Sequence, residues 1–295
     1  MPDLKGKTVL VTGASSGLGL GVARGLALKG ATVMVTARDD AKCSATLANL
    51  RAHAGDAADV SCSIVELLSL EKTKKSAIEL AKKLPTLDML VLNAGIMAPP
   101  SLLLSDDGLE QQFQVNHLSQ FLLFQHLLPS LLRSAAPRVV TVSSIAHFFC
   151  TDRCDGDFLD EATLNDAAKY DKTEYYAWSK LCNILMAREL SKRHPDIVAH
   201  AIHPGGVHGN LLRYSGMSDS WADKFQSFMY WDIDTAALTV LRPLVQAELG
   251  EKARPGRYFV PIARERKSSA RAESEELARR LWEASESLVK ARVGK

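Results

Sequence analysis

An apolar run leads into a glycine-rich turn near the N-terminus: Lys7-Thr8-Val9-Leu10-Val11-Thr12-Gly13-Ala14-Ser15-Ser16-Gly17-Leu18-Gly19. An amphipathic segment follows it. Glycines leave the chain without Cβ atoms where it turns sharply, and the next helix offers unpaired N–H groups and the positive end of its dipole. Glycines also serve ordinary turns, so their placement between a strand and a helix is the informative feature. That placement predicts a site for the pyrophosphate of a dinucleotide.

Beyond this turn, short apolar runs alternate with helix-length segments. The pattern predicts strands at 9–11, 31–36, 63–67, 89–92, 139–142, 198–202 and 258–260. Strands separated by helices pair in parallel through right-handed crossovers. We therefore predict an α/β fold, a single Rossmann-like doubly wound domain over 1–295 with a mostly parallel seven-stranded sheet flanked by helices. We expect 1–150 to be mainly the cofactor half, 151–263 the catalytic and substrate half, and 264–295 a helical tail.

Composition narrows the class of protein further. The chain has 295 residues, is 46% hydrophobic and carries a formal net charge of +2. This balance predicts a globular protein with no nucleic-acid or anionic-membrane partner. The N-terminal sequence does not resemble a signal peptide and no apolar run is long enough to span a bilayer, so we expect a cytoplasmic protein. The five cysteines are then expected as free thiols, and their spacing predicts no metal site.

A second motif, Tyr176-Ala177-Trp178-Ser179-Lys180, places a phenol and an ammonium group one helical turn apart. Reduction of a carbonyl leaves an oxyanion that needs a proton, and a tyrosine serves best when its pKa, ordinarily near ~10, moves toward neutrality. A neighbouring ammonium group favours the phenolate. We interpret Tyr176 as the acid/base and Lys180 as its activator. Exposed helices also carry this pair without function, so further motifs must support the interpretation.

Three further motifs follow the predicted strands in order: Asn93-Ala94-Gly95, Ser143-Ser144 and Pro204-Gly205. With the first two motifs, they resemble the short-chain dehydrogenase/reductase family over about 5–207. Within that family, the stretches 139–147 and 281–285 resemble the retinol-dehydrogenase-like and fungal-type reductases. The resemblance implies a nicotinamide-dependent oxidoreductase that acts on an alcohol or a carbonyl.

The resemblance also implies roles for individual residues. Ser144 would hydrogen-bond the substrate oxygen, and Asn116 would hold a water beside Lys180. Alone, a serine after a strand is an ordinary cap and an asparagine within a helix an ordinary polar contact. The cofactor-binding residues implied by the family are Gly13, Ser15, Ser16, Gly17, Leu18, Gly19, Arg38, Glu66, Asn93, Ala94, Gly95, Tyr176, Lys180, Pro204, Gly205 and Val207.

The end of the second predicted strand bears on the choice of cofactor. An acidic residue there would bind the ribose 2′-hydroxyl, but the chain has Ala37 followed by Arg38, whose guanidinium can pair with a 2′-phosphate. We expect NADP(H) rather than NAD(H), although a loop arginine can also be simply solvated.

Two positions depart from the family pattern. Glu66 replaces an aspartate near the adenine, and Gly209 lacks a threonine hydroxyl for which Asn210 could substitute.

The segment 211–231 stands where the family has its substrate cover, and it is rich in aromatic and methionine residues. These predict a pocket for a hydrophobic ketone, aldehyde or secondary alcohol, such as a retinoid, a steroid or a polyketide of secondary metabolism. Packing of this segment against the tail is the alternative. His147 and His208 flank the predicted site loops, so either could contact the substrate.

The spacing between the catalytic motifs bears on assembly. Tyr176 follows Ser144 by 32 residues, and the intervening 148–173 is rich in aspartate. Family members use a helix surface here to dimerise, which this insertion would cover, so we expect a monomer or a weak homodimer. Two other functions remain open: an NADP(H)-binding family member with a non-redox role in shaping or sensing a ligand, and an interaction scaffold that uses the insertion and the charged tail.

Overall fold

A twisted, mostly parallel sheet forms the centre of the protein. The computed structural model describes residues 1–207, 230–246 and 256–294. In chain order, the strands of these ranges are β1 Thr8–Val11, β2 Thr32–Ala37, β3 Val60–Ile64, β4 Met89–Leu92, β5 Arg138–Val142, β6 Val198–Ile202, β7 Gly206–Val207, β8 Tyr230–Trp231, β9 Arg257–Val260 and β10 Arg264–Arg266.

The order of the strands places the site. Within the described ranges, eight strands form one sheet in the order β10-β9-β6-β5-β4-β1-β2-β3, and β7 and β8 pair separately. Adjacent strands of the large sheet are parallel except β9 and β10. The chain runs outward from β1 to β3, then returns to β4 on the other side of β1. Ligands of doubly wound sheets bind at such a reversal, outside the carboxyl ends of the strands.

Helices cover both faces of the sheet. None of those in the described ranges is long and apolar enough to cross a membrane. The helices of the described ranges are α1 Gly17–Ala27, α2 Asp40–Ala54, α3 Leu70–Lys83, α4 Gln111–Phe113, α5 Ser119–Leu131, α6 Glu161–Leu164, α7 Lys172–Arg193, α8 Ile233–Val245 and α9 Glu275–Val293. A π turn, Gln114–Leu118, joins α4 to α5.

Strand β1 shows why the sheet is apolar on both faces. Val9 and Val11 are fully buried in the cluster that includes residues of α1 and α8, whereas Leu10 is fully buried in the cluster that includes α3, α5, α7 and α9. Successive strand residues point to opposite faces, so a strand between two helix layers needs a continuous apolar run. This is the run that precedes the glycine turn.

The predicted fold class is confirmed, and the differences lie at the edges of the sheet. The charged strand β10 adds an eighth, antiparallel member, which seven predicted strands did not include. Strand β3 begins at Val60 rather than at residue 63. It pairs only with β2, so serines at 61 and 63 are tolerated, and its apolar pattern is weak. Only part of the tail is helical, because α9 begins at Glu275 behind the cap Ser274.

The insertion is ordered by the segment that precedes α9. Residues 148–173 form short 3₁₀ turns and α6. Arg271 makes ion pairs with Asp152 at 2.7 Å and Asp155 at 2.6 Å, and donates to the Cys150 carbonyl at 3.0 Å. Two aspartates of the insertion thus pair with the C-terminal part of the chain, while Cys154, Phe158 and Leu164 of the insertion are buried in the core.

The expectation of five free thiols is wrong at two positions. Cys43 and Cys62 form a disulfide with a Cα–Cα distance of 5.6 Å. Cys43 lies in the first turns of α2 and Cys62 on β3, where it is in register with Val35 of β2. Helix α2 folds back over the strand that follows it, which brings together cysteines 19 residues apart. The remaining cysteines, Cys150, Cys154 and Cys182, are free and buried.

Candidate active site

The glycine turn follows β1 at the carboxyl edge of the sheet. Gly13 has a φ of +64°, and a Cβ atom there would lie 2.7 Å from Ala94 Cα. A Cβ atom on Gly19 would lie 2.7 Å from the carbonyl oxygen of Gly13. Such distances are well inside van der Waals contact. Both positions therefore require glycine, and the turn packs directly against the loop after β4.

The N-terminus of α1 is left without a side-chain cap. Ser16 stands at its N-cap position, makes no capping hydrogen bond, and no acidic residue occupies the first turn. Unpaired N–H groups at such an end suit a phosphate. The residues present therefore fit the pyrophosphate of a nicotinamide dinucleotide. By contrast, helices α2, α3, α7, α8 and α9 begin with side chains that accept a backbone N–H, namely Asp39, Ser69, Asp171, Asp232 and Ser274.

Hydrogen bonds join the glycine turn to the Asn93-Ala94-Gly95 loop. Asn93 donates from Nδ2 to the carbonyl oxygens of Thr12 at 2.8 Å and Gly13 at 3.1 Å. The Thr12 hydroxyl accepts from the backbone N–H of Asn93 at 2.8 Å and donates to Gln120 Oε1 at 2.8 Å. Gln120 in turn donates to the Ala94 carbonyl at 2.6 Å. Thr12 and Gln120 are not among the site residues predicted from sequence, and the position of Thr12 beside the first glycine is the only signal that points to either of them.

Arg38 and Glu66 follow the neighbouring strands β2 and β3. Arg38 is exposed, with its Nε 3.7 Å from a carboxylate oxygen of Asp39. The Glu66 carboxylate lies 2.8 Å from Lys72 Nζ. Thr36, near the end of β2, accepts a hydrogen bond at its Oγ1 from the Gly13 N–H at 3.1 Å and so joins this strand to the glycine turn. The guanidinium of Arg38 is thus open to a ligand, while Glu66 already has a cationic partner.

The chemical groups lie farther along the same edge. Tyr176 and Lys180 occupy successive turns of α7, both buried, and Ser144 follows β5. The Ser144 side chain lies near the Tyr176 phenol and opposes the rise of its pKa. Lys180 Nζ donates to the Val142 carbonyl at 3.2 Å and lies 5.5 Å from the centroid of the Tyr176 ring. The neighbouring Ser143 donates to the Lys180 carbonyl at 2.7 Å and so braces the helix.

Burial governs the pKa values of this pair. It raises the pKa of Tyr176 to about 12, opposed by the Ser144 side chain. It lowers the pKa of Lys180 to about 8. In the protein by itself the phenol is therefore not the acidic group that the sequence predicts, because desolvation raises its pKa. A protonated phenol at neutral pH is suited to donate a proton to a developing oxyanion.

Asn116 lies in the π turn and is fully buried. Its Oδ1 accepts from the Ile96 N–H at 2.8 Å, and its Nδ2 donates to the Ile96 carbonyl at 3.0 Å and to Ser179 Oγ at 2.9 Å. A Cβ atom on Gly95 would lie 3.0 Å from Asn116 Oδ1 and 3.5 Å from Lys180 Nζ. The amide therefore ties the loop after β4 to α7 beside the lysine. π turns are rare and frequent at functional sites.

The Pro204-Gly205 motif follows β6 at the same carboxyl edge of the sheet. A Cβ atom on Gly205, whose φ is +87°, would lie 2.6 Å from Trp231 Cδ1. Pro204 is buried and precedes this glycine, and Val207 ends β7, which pairs with β8. The predicted features at His208, Gly209, Asn210 and most of the segment 211–231 lie outside the described residues.

The ring of His147 is held by backbone groups on two segments. It is buried, its Nδ1 lies 2.7 Å from the Ser144 carbonyl oxygen, and its Nε2 accepts from the Ser269 N–H at 3.2 Å. Both ring nitrogens are therefore used by backbone groups. The ring joins the loop after β5 to the segment before α9, and a contact between His147 and the substrate stays a prediction.

The glycine turn, the uncapped helix and the buried tyrosine–lysine–serine group define a nicotinamide-dependent α/β oxidoreductase. A family model for short chain dehydrogenase matches residues 7–151. Retinol dehydrogenase 13 of Mus musculus is 35% identical over 97% of this chain and 84% of its own length. A short-chain dehydrogenase/reductase of Armillaria gallica is 32% identical over 96% of this chain and 90% of its own.

A solved structure shares both sequence and architecture with the chain. The Pseudomonas aeruginosa RhlG/NADP active-site complex is 27% identical, with a TM-score of 0.67, and the match covers 84% of this chain and 92% of that one. The protein belongs to the short-chain dehydrogenase/reductase family. It is an oxidoreductase of that family, acting on alcohols or carbonyls with a nicotinamide cofactor.

Proposed function

We propose that the protein is an NADP(H)-dependent reductase of hydrophobic ketones or aldehydes, or the corresponding alcohol dehydrogenase. The proposal is carried by one observation: Tyr176 and Lys180 are buried on successive turns of α7, near Ser144, at the edge that also holds the glycine turn. When bound, the cofactor supplies a hydride to the carbonyl carbon.

Each residue of the group has a distinct task in this proposal. The Ser144 hydroxyl hydrogen-bonds the substrate oxygen and stabilises the oxyanion as it forms. Tyr176 donates its proton to that oxyanion. Lys180, whose pKa of about 8 lets it exchange protons near neutrality, restores the proton of the phenol together with water held near Asn116. The glycine turn and the N-terminus of α1 hold the pyrophosphate, as the family resemblance implies.

The surface beside Ser144 supports an apolar substrate. Ile145, Phe148 and Phe149 are large hydrophobic side chains in the turn that follows Ser144, and all three are exposed. An apolar rim next to a small number of polar groups is typical of a site for a bulky, weakly polar molecule.

A panel of hydrophobic ketones and aldehydes with NADPH tests the proposal. Consumption of NADPH that depends on the carbonyl supports it; tight NADPH binding with no turnover across the panel favours the non-redox alternative.

The cofactor preference is proposed to depend on Arg38. Replacing it with Ala is expected to lower kcat/KM for NADPH by about 10- to 100-fold, the equivalent of one or two charge-assisted hydrogen bonds to the 2′-phosphate. The value for NADH should barely change, because that cofactor lacks the phosphate. Arg51→Ala, which removes another exposed arginine on α2, is the matched control. An equal loss with both cofactors would contradict the proposal, as would no loss with NADPH. The NADP in the RhlG complex also favours it.

A monomeric state is proposed from the packing of α9. Trp282 of this helix contacts Phe121 and Phe124 of α5, with ring centroids 4.9 Å and 5.9 Å apart. It also packs along α7. We expect this packing, with the insertion, to cover the helix surface that the family resemblance implies for assembly, which favours a monomer or a weak homodimer. Sedimentation velocity at micromolar concentration should give a species of 32.2 kDa. A stable tetramer would refute this prediction.

A further inference from the structure

The C-terminal helix contacts the π turn through one buried hydrogen bond. His117 of the π turn and Ser285 of α9 are both buried, and His117 Nε2 lies 2.9 Å from Ser285 Oγ. The serine hydroxyl donates its hydrogen to the Leu281 carbonyl at 2.8 Å. Its oxygen must therefore accept from His117, which fixes the proton of the ring on Nε2.

This contact is neutral and is reinforced one turn farther along. Burial lowers the pKa of His117 to about 3, so the imidazole stays uncharged at ordinary pH. The Phe121 ring meets the Trp282 ring edge-on, with centroids 4.9 Å apart. Two successive turns of the helix that carries Asn116 are thus fixed to successive turns of α9.

The residue next to His117 is Asn116, whose three hydrogen bonds hold Ile96 and Ser179. A π turn is a rare single-turn bulge inside an α-helix, and we expect its register to depend on contacts from outside the helix. A change of register by one residue would rotate Asn116 away from both partners, since successive helical residues differ by about 100°.

We infer that Ser285 is a positioning residue: by accepting the hydrogen bond of His117, α9 holds the π turn in the register that directs Asn116 at the loop after β4 and at α7. The inference rests on the proposed function, in which Asn116 serves the Tyr176–Lys180 pair. In this inference, the C-terminal helix α9 supports the reaction by positioning Asn116.

The test compares Ser285→Ala with Leu277→Ala. The first removes one oxygen from a helix that alanine suits well. The second removes a buried side chain from the first turn of α9, two turns before Ser285, and so loosens the helix while leaving the His117–Ser285 pair in place. The Ile96 N–H donates a hydrogen bond to Asn116 Oδ1, so the hydrogen exchange of this amide reports on the position of Asn116. The exchange rate is measured in the protein without cofactor. Dissociation constants for NADPH, kcat and KM for a hydrophobic carbonyl and Tm are measured in parallel.

For Ser285→Ala, we expect faster exchange at Ile96 and a fall in kcat of about tenfold, comparable to the loss of one hydrogen bond, with the KM for the carbonyl nearly unchanged. Leu277→Ala should lower Tm at least as much, yet leave Ile96 exchange and kcat near wild type. Unchanged Ile96 exchange in Ser285→Ala, or equal changes in both variants, would overturn the inference. If the wild-type protein reduces no carbonyl, the proposed function fails, and the exchange data alone decide the positioning role.

Discussion

Replacing Tyr176 with Phe is expected to lower kcat for carbonyl reduction by about 10²- to 10⁴-fold, the usual contribution of a positioned general acid. The variant keeps the buried ring and loses only the hydroxyl, which lies near Ser144. The free energy of unfolding and the dissociation constant for NADPH should therefore remain close to those of the wild type. Steady-state kinetics at saturating NADPH, with urea denaturation and cofactor titration, measure all three quantities.

The adjacent tyrosine supplies the matched control. Tyr175 is also buried on α7, but its hydroxyl donates to the Thr163 carbonyl at 3.3 Å, away from Ser144. Tyr175→Phe removes the same atom from the next residue and should change kcat by no more than a few-fold. If Tyr176→Phe turned over carbonyls at the wild-type rate, or if both variants lost activity alike, Tyr176 would not be the acid.

A methyl group at Gly13 is expected to remove most cofactor binding and to destabilise the fold. The positive φ of +64° disfavours any residue with a Cβ atom, and that atom would overlap the backbone of Ala94, 2.7 Å away. Backbone strain of about 1–2 kcal/mol and overpacking of about 1–3 kcal/mol act together. Since Ala94 belongs to the loop after β4, the displacement reaches both sides of the pyrophosphate site.

Gly108 separates the two causes. Its φ is +74°, similar to that of Gly13, but a Cβ atom there would have no neighbour within 4 Å. Gly108→Ala should therefore show the backbone strain alone and bind NADPH as the wild type does. Urea denaturation and fluorescence titration with NADPH distinguish the variants. Equal losses of stability in both, or wild-type affinity in Gly13→Ala, would contradict this account of the turn.

The sequence predicts best where backbone geometry leaves few choices. Gly13 and Gly19 are required by a close approach of backbone segments, and the alternation of buried strands with helices follows from burial on both faces of a sheet. The edge strands are less predictable. β3 and β10 each have one neighbour in the sheet, so polar residues such as Ser61 and Glu265 occur in them without cost.

Long-range contacts explain the remaining differences. Cys43 and Cys62 meet only because α2 folds back over β3, and His147 is satisfied by a backbone group 122 residues away. The pKa of Tyr176 depends on the completeness of its burial, which the spacing to Lys180 does not reveal. The partners of Asn116 depend on a π turn, and no pattern of apolar residues distinguishes that turn from an α-helix.

Transfer of deuterium from NADPH labelled at the nicotinamide C4 position to a hydrophobic ketone addresses the proposed chemistry itself. The two isomers of the cofactor carry deuterium on opposite faces of C4. With one of them, we expect one deuterium on the carbinol carbon of the product, detected by mass spectrometry. The rate should also show a primary isotope effect wherever hydride transfer limits turnover. A protein that binds NADPH at the glycine turn yet leaves both label isomers intact while the ketone is consumed would contradict the assignment.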